Sequence, residues 1–427
     1  MTAVVGILNK HAVAVAADSA VTISGNNGRK IFNHANKIFR LSHSEPVGIM
    51  IYNSANFMQT PWEILIKVYR NELGVKTFPK LEDYQKDFLE FLKTKNYYTD
   101  SEGQKQACFE FCHAVCHIIK EQTFQQLQNQ SSVSQEQIIG ALSNNIEAIY
   151  QEWTRNPQPT CIEFSTYTRR QFDVFFQEIL ETALQHNFED SGYPLNLSDK
   201  NLVKTIVFEM LKSNSFLKNF TGLVFIGYGV SEIFPSLIPL QISFVVDNRL
   251  RYFVDDNRKT HISLQTESAI RPFAQTDVIN TILTGIDPSL SDLYTNHFQL
   301  FLNRYNEFII EQIGESNPHL VQRIQNIDIQ NIVNQYTTKN AEIARLRYIE
   351  PLMNAIGTLS KEDLAEMAES LIYLTYLKRR ITFAEESVGG PVDVAIISKT
   401  DGFIWLKRKH YFKPELNHHY FSKYLKS

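Results

Sequence analysis

The sequence predicts an α+β fold, in which strands and helices occupy separate stretches of the chain. Short apolar runs typical of strands recur within residues 2–52, whereas residues 71–219 and 291–357 have mostly helical patterns. A chain of 427 residues allows two or three domains, or one core with large insertions. Hydrophobic residues make up 43% of the chain, which is enough for a sizeable core and excludes a disordered or fibrous protein.

The chain begins with a predicted β-hairpin. Residues 2–8 and 12–17 are apolar runs separated by a polar turn, and their continuous apolar character indicates strands buried on both faces. Residues 37–41 and 48–52 predict two more strands. Residues 61–69 predict a helix with proline in its first turn. Four closely spaced strands followed by a helix are therefore expected.

Later elements follow from local patterns. Ser360 and Asp363 form a capping box at the start of a helix whose apolar residues recur at helical spacing. Asp401–Gly402 predicts the turn of a final hairpin. Helices are also predicted over residues 84–92 and 108–120 and from Ile309 onward, with a Gln/Asn/Ser-rich loop over residues 125–137.

Composition excludes several classes of protein. The formal net charge is −4, without the basic footprint of a dedicated nucleic-acid binder. Met1–Ala17 lacks the basic start of a signal peptide, and Lys10 and His11 interrupt its apolar run. No apolar stretch approaches the roughly 20 residues needed to span a bilayer. Four cysteines are too few for a disulfide framework, so we expect a reducing, cytoplasmic location and no membrane partner.

Cys108, Cys112 and Cys116 share one helical stripe, with His113 and His117 beside it. Thiolates and imidazoles bind zinc, but structural zinc sites usually draw ligands from two segments, and buried cysteine commonly packs as a small hydrophobe. Core packing is therefore favoured over metal binding.

The chain has neither a Walker-type phosphate loop nor a Gly-x-Ser-x-Gly elbow, and no cofactor is expected.

Thr2 is the principal candidate for catalysis. Removal of Met1 would expose a terminal threonine, which carries a hydroxyl nucleophile and an α-amine with an ordinary pKa near 7.7–8.0. A lysine nearby would lower the pKa of that pair, and an aspartate would hold the lysine; Asp18 and Lys37 are available. The residue types alone leave a second interpretation open, in which Thr2 is merely a small second residue.

Several segments together resemble β-type proteasome subunits and the bacterial proteasome-like peptidases. The matching stretches at the start are Thr2–Ile7, Ala14–Ser19, Lys37–Leu41 and Gly48–Met50, with the aspartate 16 residues after the threonine, as in that family. Further matches are Leu223–Gly229, Leu240–Asn248 and Glu385–Ile397. The resemblance implies a four-layer αββα sandwich formed by residues of about 1–70, 220–290 and 358–410. Helical insertions would then occupy 71–219 and 291–357 of a single domain, residues 1–427.

The resemblance also implies roles for individual residues. Thr2 would be the nucleophile, Lys37 would tune it, and Asp18 would hold Lys37. Tyr52 and Asn53 stand where the family has its oxyanion glycine, and their backbone N–H groups would serve while their side chains crowd the cleft. Among the supporting residues, Glu385 stands where the family has Asp, and Val388 stands where it has Ser, with Ser387 as the neighbouring hydroxyl. The family's second supporting serine would align near residues 274–276, which are Ala, Gln and Thr in this chain.

The implied activity is that of a threonine-dependent amidohydrolase, with a peptidase favoured over a hydrolase of small amides. The implied partners are a peptide or amide substrate and further copies of the chain in a dimer or ring. Val388, the Tyr52 segment and the large insertions motivate an alternative, a catalytically silent protein whose helical insertions bind another protein.

Overall fold

The computed structural model describes residues 2–25, 28–95, 101–128, 133–217, 220–313, 317–382, 388–410 and 412–419. The protein is mixed α/β, and every strand pair whose register is described is antiparallel. The chain forms two compact units. The first comprises Met1–Ile38, Ile233–Ser236 and Thr260–Ser427; the second comprises Phe39–Glu232 and Leu237–Lys259.

The strands in chain order are β1 (Ala3–Asn9), β2 (Val13–Ala17), β3 (Val21–Gly25), β4 (Gly28–Phe32), β5 (Ile38–Arg40), β6 (Val47–Asn53), β7 (Asn56–Phe57), β8 (Thr60–Pro61), β9 (Thr221–Gly227), β10 (Ser236–Val246), β11 (Arg249–Val254), β12 (Thr260–His261), β13 (Ser268–Ala274), β14 (Asp393–Ser398) and β15 (Gly402–Lys407).

The α-helices in chain order are α1 (Trp62–Leu73), α2 (Leu81–Thr94), α3 (Ser101–Leu127), α4 (Gln135–Arg155), α5 (Arg169–Leu184), α6 (Leu197–Lys212), α7 (Asp277–Thr284), α8 (Pro288–Ile313), α9 (Pro318–Gln325), α10 (Ile329–Ala344), α11 (Glu350–Gly357) and α12 (Lys361–Ile381). Within the described residues, no helix is both long and apolar enough to cross a membrane.

The first unit is built on a five-stranded sheet of order β13–β1–β2–β14–β15. Ile7 of β1 lies opposite Ile270 on one side and Ala14 on the other. Helix α12 packs on β1, β2 and β14, and its Leu364 and Ala368 share an apolar cluster with alternate residues of these strands. Strands β1, β2 and β14 are buried along their whole length, as their continuous apolar sequences predict.

The second unit contains most of a second sheet, with strands in the order β11–β10–β9–β6–β5. Helices α1 and α2 cover one apolar cluster of this unit, in which Trp62, Phe88 and Phe225 are fully buried. Helices α3 to α6 form a second cluster together with Phe244 of β10. Helices α3 to α6 thus pack around an apolar cluster separate from the one that α1 and α2 cover.

The mixed α/β composition with antiparallel sheets is compatible with the predicted α+β class. The first hairpin, the helix after Pro61, the capping box at Ser360 and the final hairpin are confirmed. Residues 291–357 are mostly helical, as predicted, and Ile309 lies within α8, which begins at Pro288. The four-layer sandwich stays a prediction.

Candidate active site

Asp18 and Lys37 form a buried ion pair in the first unit. Strand β2 ends at Ala17, so Asp18 follows it directly, and Lys37 immediately precedes β5. The Lys37 ammonium lies 2.6 Å from Asp18 Oδ1, and the two side chains are only 3% and 1% exposed. Isolated buried charges are very costly, so each residue requires the other. The pairing predicted from residue types is therefore present in the structure.

Backbone donors complete the surroundings of the Asp18 carboxylate. The Ala3 N–H donates to Oδ1 at 2.8 Å, while the N–H groups of Ala20 and Gly389 each donate to Oδ2 at 3.1 Å. The Asp18 N–H donates in turn to the Ala3 carbonyl at 3.1 Å. Asp18 is thus anchored to the residue that follows Thr2. This anchor fixes the carboxylate against the first strand.

Thr2 is 3% exposed and lies where β1 and β13 begin to pair. Its carbonyl accepts a hydrogen bond of 3.1 Å from the Gln275 N–H, and Ala3 lies opposite Ala274. Residues 274–276, where the family's second supporting serine would align, therefore adjoin Thr2. The group that reaches the Thr2 backbone there is the backbone N–H of Gln275.

The Lys37 ammonium has a lowered pKa, chiefly because burial penalises its charged form. The Asp18 carboxylate opposes this shift by Coulombic attraction and by its hydrogen bond. Lys37 also donates to the Ala20 carbonyl at 2.6 Å. An ammonium has three N–H donors, and only these two acceptors are present among the described residues. One N–H of Lys37 therefore has no acceptor within this described part of the chain.

A second buried ion pair, between Asp393 and Lys409, acts on Lys37 and was missed by sequence reasoning. Asp393 lies opposite Ala17 in the sheet, and the Lys409 N–H donates to its Oδ1 at 2.9 Å while the Lys409 ammonium pairs with Oδ2. Lys409 lowers the pKa of Lys37 and Asp393 raises it. The signal available in the sequence was an aspartate directly before the apolar run 394–397, comparable to Asp18 directly after the apolar run 12–17.

The segment before β14 holds the turn that follows Asp18. The Ser19 N–H donates to the Gly389 carbonyl at 3.0 Å, and the Ser19 hydroxyl donates to the Pro391 carbonyl. Gly390 has a φ of +75°, and a Cβ there would lie 2.8 Å from the Asn33 carbonyl oxygen. Glycine is required at this position because a side chain would collide with backbone.

The predicted supporting residues before this turn are only partly described. Glu385 and Ser387 lie outside the described residues. Val388, which stands where the family has a serine, is 2% exposed and packs in the apolar cluster beneath α12. It contributes to the core and offers no hydroxyl.

Tyr52 and Asn53 belong to the second unit, at the end of β6. The Tyr52 ring lies over Gly222, where a Cβ would come within 1.9 Å of ring atoms. Burial raises the pKa of Tyr52, and Arg258 opposes that rise. Asn53 has a φ of 69°, and its side-chain amide donates to the Phe220 carbonyl at 2.8 Å. Their role as oxyanion donors stays a prediction.

The three cysteines of α3 pack in the core, as predicted. Cys108, Cys112 and Cys116 are fully buried in the apolar cluster of α3 to α6, and burial raises the pKa of each thiol. Among the residues described, no group of three or more His, Cys, Asp or Glu side chains is arranged to hold a metal ion.

Comparison with known proteins gives only a weak similarity to a solved structure. No protein-family model matches the chain, and no curated protein does. Among solved structures, the chain is similar to the Gly-1 mutant of Anbu from Hyphomicrobium sp. strain MC1, at 10% sequence identity and a TM-score of 0.26, over 100% of this chain and 95% of that one. The case for a function therefore rests on the residues of this chain.

Proposed function

We propose that the protein is an N-terminal threonine hydrolase that cleaves amide bonds, with peptides as the favoured substrates. The observation that carries this proposal is the buried Asp18–Lys37 pair, which is hydrogen-bonded through Asp18 to the backbone of the residue after Thr2. A charged pair at 1% and 3% exposure is expensive to bury, and such groups concentrate at functional sites. The resemblance in sequence assigns the same three residues.

In the proposed reaction, removal of Met1 gives Thr2 a free α-amine. The Thr2 Oγ attacks the carbonyl carbon of an amide, and the α-amine takes the hydroxyl proton. The C–N bond then breaks as this proton passes to the leaving amine, which produces an ester on Thr2. A water molecule hydrolyses the ester and restores the hydroxyl. No cofactor is required by this sequence of steps.

Lys37 supplies the charge that activates the hydroxyl. We assign its remaining N–H to Thr2 Oγ, where a positive charge favours the developing alkoxide. Asp18 and the Ala20 carbonyl fix the ammonium from its other side. Asp393 and Lys409 act on Lys37 electrostatically and are positioning residues.

Intact-protein mass spectrometry tests this proposal directly. The purified chain is measured before and after incubation with a peptide epoxyketone, which requires both the hydroxyl and the free amine of a terminal threonine. We expect loss of Met1, one adduct on the wild type, an adduct on Thr2→Ser and none on Thr2→Ala. Amide hydrolysis by Thr2→Ala above a mock-purified control would overturn the assignment. Casein, short peptide amides and simple amides then separate a peptidase from a small-amide hydrolase.

A catalytically silent binding protein is the second candidate, and helix α8 favours it. None of its 26 residues is buried, and Tyr294, Phe301 and Phe308 are more than half exposed. Exposed aromatic side chains along one helix are typical of a protein interaction site. Retained Met1, or a free Thr2 that stays inert to the epoxyketone, would favour this candidate over the hydrolase.

A further inference from the structure

The second unit contains a cavity of about 530 Å³ that the proposed reaction does not use. Helix α3 forms one wall, the segment after β6 another, and residues of β10 and β11 line it from the sheet. This volume falls in the range of small-molecule sites. All the lining residues belong to the second unit, so the cavity is a property of that unit alone.

The cavity has an exposed side with charged and polar residues of α3, and a buried side with aromatic rings and a guanidinium. On α3, Glu110, His117 and Glu121 line it and are exposed, whereas Phe111 is 6% exposed. Phe244 of β10 is 7% exposed, and Arg251 of β11 is only 1% exposed. A ligand in this cavity would therefore have its buried end against aromatic rings and a guanidinium.

Arg251 is a buried cation without a carboxylate partner among the described residues. Its Nε and Nη2 donate to four backbone carbonyls at 2.7–3.0 Å: Met210, Leu211, Ser213 and Ser215. These acceptors are neutral, and burial lowers the pKa of Arg251 to about 10, so the side chain stays charged near neutral pH. Buried charges in proteins are normally paired with an opposite charge.

The Nη1 atom of Arg251 is the least satisfied part of the guanidinium. Within the described part of the chain it donates to one group, the Ser243 hydroxyl, at 3.3 Å, which is long for such a bond. Nη1 carries two N–H groups, so one of them has no acceptor there. Ser243 and Arg251 both line the cavity. An anionic oxygen placed beside them would supply the missing acceptor and the missing charge.

We propose that this cavity binds a monocarboxylic acid with an apolar chain, with its carboxylate on Arg251 and Ser243. The chain of the acid would lie against Met58, Phe111, Ala114 and Phe244, which line the cavity. Charge-assisted hydrogen bonds are about twice as strong as neutral ones, which favours an acid over an alcohol of equal length. This site is independent of Thr2 and of the proposed hydrolysis.

Isothermal titration calorimetry of the full chain with decanoate and with decan-1-ol tests the proposal. We expect decanoate to bind about tenfold or more tightly than decan-1-ol, because only the carboxylate neutralises the positive charge of the Arg251 guanidinium. Arg251→Met should remove that preference. Since this variant also loses the bonds to four carbonyls and could fail to fold, Ala114→Trp provides an independent test by filling the cavity.

Ala114→Trp should weaken decanoate binding about tenfold or more, whereas Ala341→Trp, at an exposed position of α10, should bind it like the wild type. Equal binding of acid and alcohol by the wild type would overturn the proposal. So would unchanged affinity in Ala114→Trp, or no binding of decanoate below about 1 mM.

Discussion

The carboxylate of Asp18 accepts hydrogen bonds from three backbone N–H groups and from the Lys37 ammonium. The three N–H groups belong to different segments of the first unit, and all three remain when Lys37 is replaced. Lys37 is the only group among these four donors that carries a charge. The two roles can therefore be separated by substitution: the backbone orients the carboxylate, and the lysine balances its charge.

Lys37→Met should lower the free energy of unfolding by about 3–5 kcal/mol, because it leaves Asp18 as an unpaired buried charge. Amide hydrolysis should also be lost. The free energy is measured by urea denaturation of the full chain. Lys10→Met is the matched control, since the exposed Lys10–Glu267 pair should contribute no more than about 1 kcal/mol. The double variant Lys37→Met/Asp18→Asn should recover part of the lost unfolding free energy, because the buried charge is removed as well. Equal stability of Lys37→Met and Lys10→Met would contradict the conclusion that Lys37 balances a buried charge.

Substitutions at Gly390 and Gly402 separate two costs, that of a left-handed backbone conformation and that of a steric collision with the new side chain. Their φ angles are +75° and +76°, but a Cβ at Gly390 would lie 2.8 Å from the Asn33 carbonyl oxygen and 3.2 Å from the Ser19 Cβ, while nothing lies within 4 Å at Gly402. Gly402→Ala should cost about 1–2 kcal/mol of unfolding free energy from the left-handed conformation alone. Gly390→Ala should cost about 1–3 kcal/mol more, because the turn beside Asp18 must shift. Equal losses in urea denaturation would show that the turn adapts.

At the level of elements, α3 has two faces with different environments. Cys108, Cys112 and Cys116 recur every four residues on the face buried in the helical cluster. Glu110 and His117 lie on the face that lines the cavity. The cysteine spacing therefore reflects packing, and burial keeps these thiols in their neutral form.

Burial of Cys116 predicts a loss of stability in alkali. Its pKa rises to about 12 in the folded chain, whereas an unfolded thiol ionises near 8.5. Between these values the unfolded state binds fewer protons, so the free energy of unfolding falls by about 1.4 kcal/mol per pH unit for this thiol. Urea denaturation of wild type and Cys116→Ala from pH 8 to 10 should show the shallower fall in the variant. Parallel curves would contradict the shift.

Local elements could be predicted from the sequence, but contacts between distant elements could not. The first hairpin, Asp18 at the end of its strand and the capping box at Ser360 follow from neighbouring residues. The Gly389 N–H that donates to Asp18 lies 371 residues away in the chain. No local pattern encodes such a contact, because it depends on β14 pairing with β2. The same holds for Arg251, whose partners come from the end of α6.

For the whole molecule, the exposed apolar face of α8 bears on assembly. We call the stripe of Tyr294, Phe301 and Phe308 the α8 face; these residues are spaced by seven and are 52%, 64% and 55% exposed. A seven-residue apolar repeat is typical of a seam between helices. Covering these rings would remove a large apolar area from water. We therefore predict self-association through this face.

The double variant Phe301→Glu/Phe308→Glu should shift the chain towards monomer, because burying two carboxylates in an apolar seam is costly. Size-exclusion chromatography with light scattering measures the mass directly. Asn296→Glu/Asn303→Glu is the matched control, with the same added charge and spacing at exposed polar positions of α8. Its mass should equal that of the wild type. A wild-type monomer would contradict self-association and leave the α8 face for a different protein, which is the surface that the silent binding candidate requires.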